Sequence, residues 1–367
     1  PDDPPRIRWL YHCLYGASYP FSLVYDPQKC AAALADPGYL WLLARDGERA
    51  VGSLVFSVDR EAKLGKVFGG VVHPGFQGHD LAERMMRLGL DALAKGGEAR
   101  SVYATTRTVS LAPQRLAEKS GFKKLGIFPN VHKVQRSETH TLAVYYAPGA
   151  LEKRRPPRLP AALKPFFQLV RREAGLPEAE YVELPAAPAD DAPPTEFETV
   201  AAPAFVRRRF AEVKAAKALA LDFFPFHEPD LLLVSPDGQS EVYLHRSSRD
   251  GHCVLNGARP GPLGLRALLD HAAAFLEGLG VRYFEVLVDA WDAQAVHDAL
   301  SARFLPSAYY PAMRWDAAGA RARDYVVLSR SLAVLDFSGI KLQPGYADYL
   351  KEYLRLWREL HLGQGLS

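Results

Sequence analysis

The sequence predicts a mixed α/β fold of the α+β kind, built twice along one chain. Three observations carry this reading. Strand-length apolar runs alternate with amphipathic stretches of helical period. The order of elements over residues 39–146 returns over residues 230–331 with little residue identity. At 367 residues, 48% hydrophobic and 24% charged, the chain is long enough for two cores of ordinary size.

The elements follow in order. Residues 7–15 and 27–34 read as helices ahead of the first sheet. Strands are expected at 39–45, 50–58 and 64–72, the first two joined by the hairpin pair Asp46-Gly47. Over 81–94, Ala82, Met85, Met86, Leu90 and Leu93 recur at helical spacing while Glu83, Arg84, Arg87 and Asp91 take the other side, which describes a helix packed on a sheet. A strand at 101–106, a helix at 111–120 ended by Gly121, and strands at 122–127 and 139–146 complete the first set. Composition then shifts to Pro, Ala and charge, with one helix over 163–173 and an extended linker in "PAAPADDAPP", residues 185–194. The second set has strands at 230–235, 241–245 and 252–256, a helix at 264–279, a strand at 281–288, a helix at 293–303 and a strand at 324–331. The last helix, 346–361, places Tyr346, Leu350, Tyr353, Leu354, Trp357 and Leu360 on one face and is expected to dock on a core. The expected organisation is a first domain at 1–150, a helix and Pro/Ala-rich linker at 151–195, a second domain at 196–340 and a docking helix at 341–367.

Charge and composition narrow the function. The net charge is +3, and the basic clusters Lys153-Arg154-Arg155 and Arg207-Arg208-Arg209 are short and lack interleaved aromatics, so nucleic acid is not the expected partner. No apolar run is long enough to span a bilayer, no signal-peptide pattern is present, and the three cysteines are odd in number and widely spaced; a cytoplasmic protein without a membrane partner is expected. None of the eleven histidines stands at a metal-ligand spacing with a second ligand on its element, so no metal is expected.

The stretch "HPGFQGHDLAERMM", residues 73–86, reads as a strand end, a tight loop and a helix start. Gly78 permits close approach, and a helix's first N–H groups have no internal partner and favour an anion. Asp80 and Glu83 stand in the D-x-x-E spacing of a capping box, so Asp80 is expected to cap the helix and turn from a bound phosphate. A second segment, "LAEKSGFKKLGIFPN" at 116–130, sets a helix, a Gly-Phe turn and a strand downstream.

With both segments in view, Val72, Pro74, Gln77, Ala82 and Gly121-Phe122 make residues 39–146 resemble the GNAT superfamily of N-acetyltransferases, in tandem with a degenerate second copy. The fold so implied is two GNAT-like mixed sheets flanked by helices. The resemblance implies that Gln77, Gly78, His79, Asp80, Leu81 and Ala82 hold the pyrophosphate of acetyl-CoA or another acyl-CoA. It places Val72 at the thioester, in a strand that splays from its neighbour, and Ser110 where an asparagine often meets the pantetheine. The chain departs from the pattern at Asp80, in place of the middle glycine, and at Ala117, where many members carry a tyrosine acid. It also has no Glu on the strand 64–72. Aminolysis of a thioester needs a free amine, an oxyanion site and a proton for sulfur; Tyr103 or water is the candidate donor, and Thr105, Glu138 and His140 are the candidates for the base.

The second half carries "ARPGPLGLRALL" at 258–269, where Pro262 removes an amide donor, and Arg303-Phe304 in place of Gly-Phe. One acyl-CoA per chain is therefore expected. "DFFPFHEPDLLL", residues 222–233, reads as core packing or as an acceptor pocket. The resemblance implies an N-acyltransferase acting on a small-molecule or protein amine, as a monomer with an internal pseudo-dimer or as a homodimer. The alternatives are a non-catalytic acyl-CoA sensor or scaffold and other thioester chemistry, such as O-acyl transfer or decarboxylation.

Overall fold

The computed structural model describes residues 3–16, 22–133, 136–185, 194–316 and 320–362; most of the 185–194 linker lies outside them. Helices α1 (Asp3–Tyr15), α2 (Ser22–Tyr25) and α3 (Pro27–Ala35) precede strands β1 (Tyr39–Asp46), β2 (Arg49–Asp59) and β3 (Leu64–Val72). Helix α4 (Leu81–Lys95) leads to β4 (Ser101–Arg107), and α5 (Ala112–Lys119) leads to β5 (Lys123–Lys133) and β6 (Ser137–Tyr146). A small parallel pair, β7 (Arg158–Pro160) and β8 (Glu180–Val182), brackets α6 (Lys164–Ala174). The second half runs β9 (Glu198–Val200), α7 (Pro203–Ala215), β10 (Leu231–Val234), β11 (Glu241–Ser247), β12 (His252–Arg259), α8 (Gly264–Gly278), β13 (Tyr283–Asp289), α9 (Ala293–Ser301), β14 (Leu305–Trp315), β15 (Ala322–Ser331) and α10 (Tyr346–Leu362).

The two expected sheets are joined edge to edge into one, in the order β1-β2-β3-β4-β6-β5-β14-β15-β13-β12-β11-β10-β9. Read outward from the β5–β14 seam, the two halves list equivalent strands in the same order. The equivalence reaches single residues. Gly121 (φ +84°) precedes buried Phe122, and Arg303 (φ +65°) precedes buried Phe304. Pro129-Asn130 and Pro311-Ala312 both place a left-handed residue after a proline, with φ of +57° and +50°. At the seam Gly126 pairs with Ala308. A Cβ on Gly126 would lie 2.3 Å from the Ser307 carbonyl oxygen and 2.4 Å from Ala308 Cβ, so the approach of the halves there requires glycine.

Three segments differ from the sequence expectation. Strand β14 was not expected, because its aromatic run carries Pro306 and Pro311; both sit at register shifts of the β14–β15 ladder, where a missing N–H is tolerated. Helix α7 was not expected either, and two of its thirteen residues, Val206 and Val213, are buried. Much of 151–195 is core: Leu159, Leu163, Phe166, Phe167 and Val170 are all buried, and α6 packs on β5 and β14. Helix α10 lies over the same seam. Its buried face is Tyr346, Tyr349 and Tyr353. Tyr349 turns inward because its hydroxyl donates to the Lys124 carbonyl at 2.9 Å and its ring meets Phe166 edge-on.

Candidate active site

The parallel pairing of β3 with β4 runs only from Leu64↔Ser101 to Val67↔Ala104. Beyond it, β3 carries a bulge. Phe68 pairs with Val55 and Val71 with Ser53, so Gly69 and Gly70 together face the single Leu54 of β2. Gly69 takes φ +64°, a conformation that glycine adopts without steric cost. Beyond the bulge the end of β3 no longer pairs with Thr105 to Arg107, and the two backbones, unpaired with one another, border a slot. Tyr11 of α1 donates to the Gly69 carbonyl and fixes the bulge from the other side.

The slot leads to the loop before α4. The Gln77 side-chain Nε2 donates to the Val72 carbonyl at 3.3 Å, while the His73 ring stacks on Trp9 and takes an Arg49 guanidinium contact at 2.8 Å. Gly78 has φ +82° and open space where a Cβ would stand. His79 and Asp80 are exposed, and Leu81 and Ala82 are half-buried. The expected capping box does not form. Asp80 is left-handed, with φ 54° and ψ 19°, and makes no side-chain cap bond, because a capping side chain reaches the first-turn amides from an extended backbone. Glu83 instead pairs with Arg87 at 2.7 Å and approaches Lys119 at 3.9 Å. The first-turn N–H groups of α4 are therefore left without a side-chain cap.

The candidates for proton transfer separate into two groups. Tyr103 and Thr105 share one face of β4, and Thr105 is exposed. Tyr103 is buried against Phe226 and Tyr310, and that burial pushes its phenol well above the usual range. Glu138 is no free base, since both its oxygens are held by the Arg107 guanidinium at 2.6 and 2.7 Å. His140 lies against His132, with ring centroids 4.8 Å apart; burial and its cationic neighbours push it well down and keep it neutral. Ser110 accepts from the Ala112 amide at 3.2 Å at the start of α5. Ala117 is buried in the core under α4 and α5, so its position supplies no acid.

The face of β3 and β4 opposite α4 looks across to the second half. Between them lies a cleft of about 810 Å³, lined by Lys66 and Phe68 of β3, the loop from Asp222 to Pro229, α7 and Asn256. The 222–233 motif thus divides: Leu231 to Leu233 are core, while Phe224, Phe226 and His227 wall the cleft. Burial pushes His227 down to about 3. The Lys66 ammonium stands 5.8 Å over the Tyr103 ring, and desolvation holds it below the ordinary lysine range. Glu285 of β13 lies within electrostatic reach of both Lys66 and Tyr103, and burial pushes its carboxyl up to about 8. His252 Nε2 is 3.8 Å from Glu285, and His132, beside His252, binds Asp250 at 2.6 Å. The sequence reading missed Lys66 and Glu285. Each is a charged residue inside an otherwise apolar strand, and that interruption was the available signal. Among the described residues, no group of three or more His, Cys, Asp or Glu could hold a metal ion, and no helix is long and apolar enough to cross a membrane.

The equivalent slot in the second half is filled by the chain itself. Strands β12 and β13 pair only over His252–Val254 and Tyr283–Glu285. Where they part, Ala258 donates to the Leu221 carbonyl at 2.9 Å and accepts from the Ala220 amide at 2.8 Å.

Residues 5–122 match the family model "Acetyltransferase (GNAT) family". Among solved structures, the chain is similar to the ribosomal-protein-S18-alanine N-acetyltransferase of Escherichia coli at 18% identity, covering 40% of this chain and 88% of that one with a TM-score of 0.34. It is similar to the ribosomal-protein-S5-alanine acetyltransferase of Vibrio fischeri at 15% identity, with coverage of 40% and 88% and a TM-score of 0.36. An aminoglycoside 6'-N-acetyltransferase complexed with coenzyme A is similar at 14% identity, with coverage of 39% and 90% and a TM-score of 0.33. No curated protein matches the chain. The family match over residues 5–122, on a segment that carries the bulged strand, the slot and the open helix N-terminus, makes this part of the chain an acetyltransferase domain of the GNAT family.

Proposed function

We propose that the protein is an acyl-CoA-dependent N-acyltransferase, with acetyl-CoA as the simplest donor, acting on an amine held in the cleft between the halves. The observation that carries this is the slot between β3 and β4. It opens at one end on the uncapped first turn of α4, suited to a pyrophosphate, and Phe68, the first β3 residue past the pairing with β4, also lines the cleft. In this reading Val72 and the bulged backbone border the thioester, and Gln77 to Ala82 wrap the phosphates. The amine nitrogen attacks the thioester carbonyl, the C–N bond forms as the C–S bond breaks, and CoA leaves as the thiolate. Backbone N–H groups freed from strand pairing stabilise the oxyanion. Glu285, buried on β13 within electrostatic reach of Lys66, takes the proton of the attacking amine, which Glu138 is not free to do. The thiolate is a tolerable leaving group and is protonated by water, so Ala117 does not stop the reaction.

The second half, in this proposal, is a degenerate copy that binds no acyl-CoA and walls the acceptor cleft. The test is thiol release from acetyl-CoA by the purified protein with a panel of amines, with product masses recorded. Release with an acylated amine supports the reading. Acetyl-CoA bound tightly without turnover for any amine points to a sensor, and an ester or decarboxylated product to other thioester chemistry.

A further inference from the structure

The unpaired charge in the cleft says what the acceptor carries. Most ionic groups of the cleft are already satisfied. Arg207 pairs with Glu228 at 3.5 Å and Arg314 with Asp222 at 3.2 Å. Asp36 and Asp59 accept from the backbone amides of Gly38 and Ala62 at 2.7 and 2.9 Å. Lys214 lies over the Phe210 ring and Glu61 is exposed. Lys66 is different. Among the described residues its ammonium makes no direct ion pair and no hydrogen bond; it has the approach to the Tyr103 ring and the longer-range field of Glu285, whose carboxyl burial pushes up to about 8. A half-buried cation without a direct counter-ion is costly, and its cost is recovered when an anion binds.

A second orphan lies on the same wall system. Asn256, at the register shift where β12 departs from β11, is buried; its amide nitrogen donates to the His227 carbonyl at 2.7 Å, while its Oδ1 has no partner. Between these polar groups the walls are Phe68, Phe224 and Phe226. A complementary ligand therefore offers one anionic group, one N–H donor and an apolar or aromatic body.

We infer that the cleft is built for a carboxylate-bearing amine of the amino-acid type, its carboxylate set against Lys66, an N–H on Asn256 Oδ1 and its apolar body between Phe68, Phe224 and Phe226. This rests on the acyl-transfer reading for its amine but not for its carboxylate. The carboxylate has two sources: the acceptor, which the aromatic walls favour, or a dicarboxylic acyl chain on the donor.

The experiment compares acceptors that differ only in the acid, L-phenylalanine and phenethylamine, with acetyl-CoA and succinyl-CoA as donors, on the full chain and on Lys66→Met and Lys66→Arg. A charge-assisted contact predicts kcat/KM about tenfold to a hundredfold higher for phenylalanine, retained in large part by Lys66→Arg and lost in Lys66→Met. Acetyl-CoA affinity stays unchanged in both variants. A preference for succinyl-CoA that vanishes in Lys66→Met moves the carboxylate to the donor and overturns the acceptor assignment. Equal rates for the two amines, or a preference that survives Lys66→Met, overturns the site altogether. Calorimetric binding of L-phenylalanine itself to the three proteins needs no turnover. Binding lost in Lys66→Met upholds the carboxylate site even where no amine is acylated, in which case the acyl-transfer reading alone has failed. Removing an unpaired enclosed charge does not weaken the fold, and the melting temperature of Lys66→Met checks this directly.

Discussion

Replacing Asp80 by Asn tests whether a phosphate occupies the α4 N-terminus. The substitution isolates the charge. Asn tolerates the left-handed conformation as Asp does, and there is no side-chain cap bond to lose. A carboxylate roughly 4 Å from a phosphate charge repels it by about 1 kcal/mol in bulk water and about 4 kcal/mol where solvent is partly excluded. Asp80 is exposed, which places the effect near the lower figure, so acetyl-CoA affinity should rise about fivefold to tenfold. Titration calorimetry at two salt concentrations is the assay. The gain should be largest near 0.01 M, where the screening length is about 30 Å, and nearly vanish near 1 M, where it is about 3 Å. Asp80→Gly should do at least as well, since it also relieves the left-handed backbone. Weaker binding by Asp80→Asn would make the carboxylate a working ligand of the site. Equal binding at both salts would remove the phosphate from this loop.

Calorimetry on the unaltered chain should also give a single acyl-CoA site, because Ala220 and Leu221 occupy the second slot; two equivalent sites would refute that account. Gly126→Val should cost about 2 to 4 kcal/mol in urea unfolding, because its Cβ meets the Ser307 carbonyl and Ala308, and an unchanged midpoint would show that the seam carries little stability. Tyr349→Ala should cost about 3 to 5 kcal/mol by leaving a cavity between α10, α6 and β5; a melt within a degree of the parent would make α10 peripheral. Glu285 faces Lys66 of β3, Tyr103 of β4, His132 of β5, and His252 and Tyr283 of the second half. Its carboxyl is raised from 4.5 to about 8 in the fold, so the folded state holds a proton that the unfolded chain releases. The stability this gives is complete below pH 4.5 and is lost as pH rises through about 8. Glu285→Gln should flatten that decline and abolish the rise of kcat through the same window, and a variant with the parent's pH profile would assign the base elsewhere.

The fold was legible wherever one period dominated a stretch. The first half shows this best: α4, with its buried Met85, Met86, Leu90 and Leu93, and strand β3 fall where the pattern puts them. Strand β14 was obscured because its prolines sit at bulges, which a strand pattern does not anticipate. Helix α7 was obscured because its surface is mostly polar. The loop of the site was legible from glycine and spacing, but the cap at Asp80 was not, since D-x-x-E spacing does not report whether the backbone at the first residue is extended. Lys66 and Glu285 are a different matter. The two residues are 219 positions apart in the sequence, and only the joining of the two halves brings them within electrostatic reach of one another.

That convergence follows from the symmetry of the sheet. In the first half Lys66 pairs with Tyr103 at the third position of the parallel ladder, and in the second half Val254 pairs with Glu285 at the third position of its own. The equivalent residues Tyr103 and Glu285 therefore face one another across the seam, each the last or nearly last paired residue before its strands part. Each parting has its own register shift, Gly69-Gly70 in one half and Asn256 in the other. In the first half the glycine bulge leaves backbone unpaired with β4, where the proposal sets the thioester. In its counterpart Asn256 instead ties the wall loop at His227, and residues 220–221 close the slot behind it. In the proposed function the same local irregularity opens one half to the donor and makes the other the acceptor wall. A chain cut within 151–195 would keep the slot but lose Glu285, Asn256 and His227 together. Such a fragment, if folded, should bind acetyl-CoA and transfer nothing.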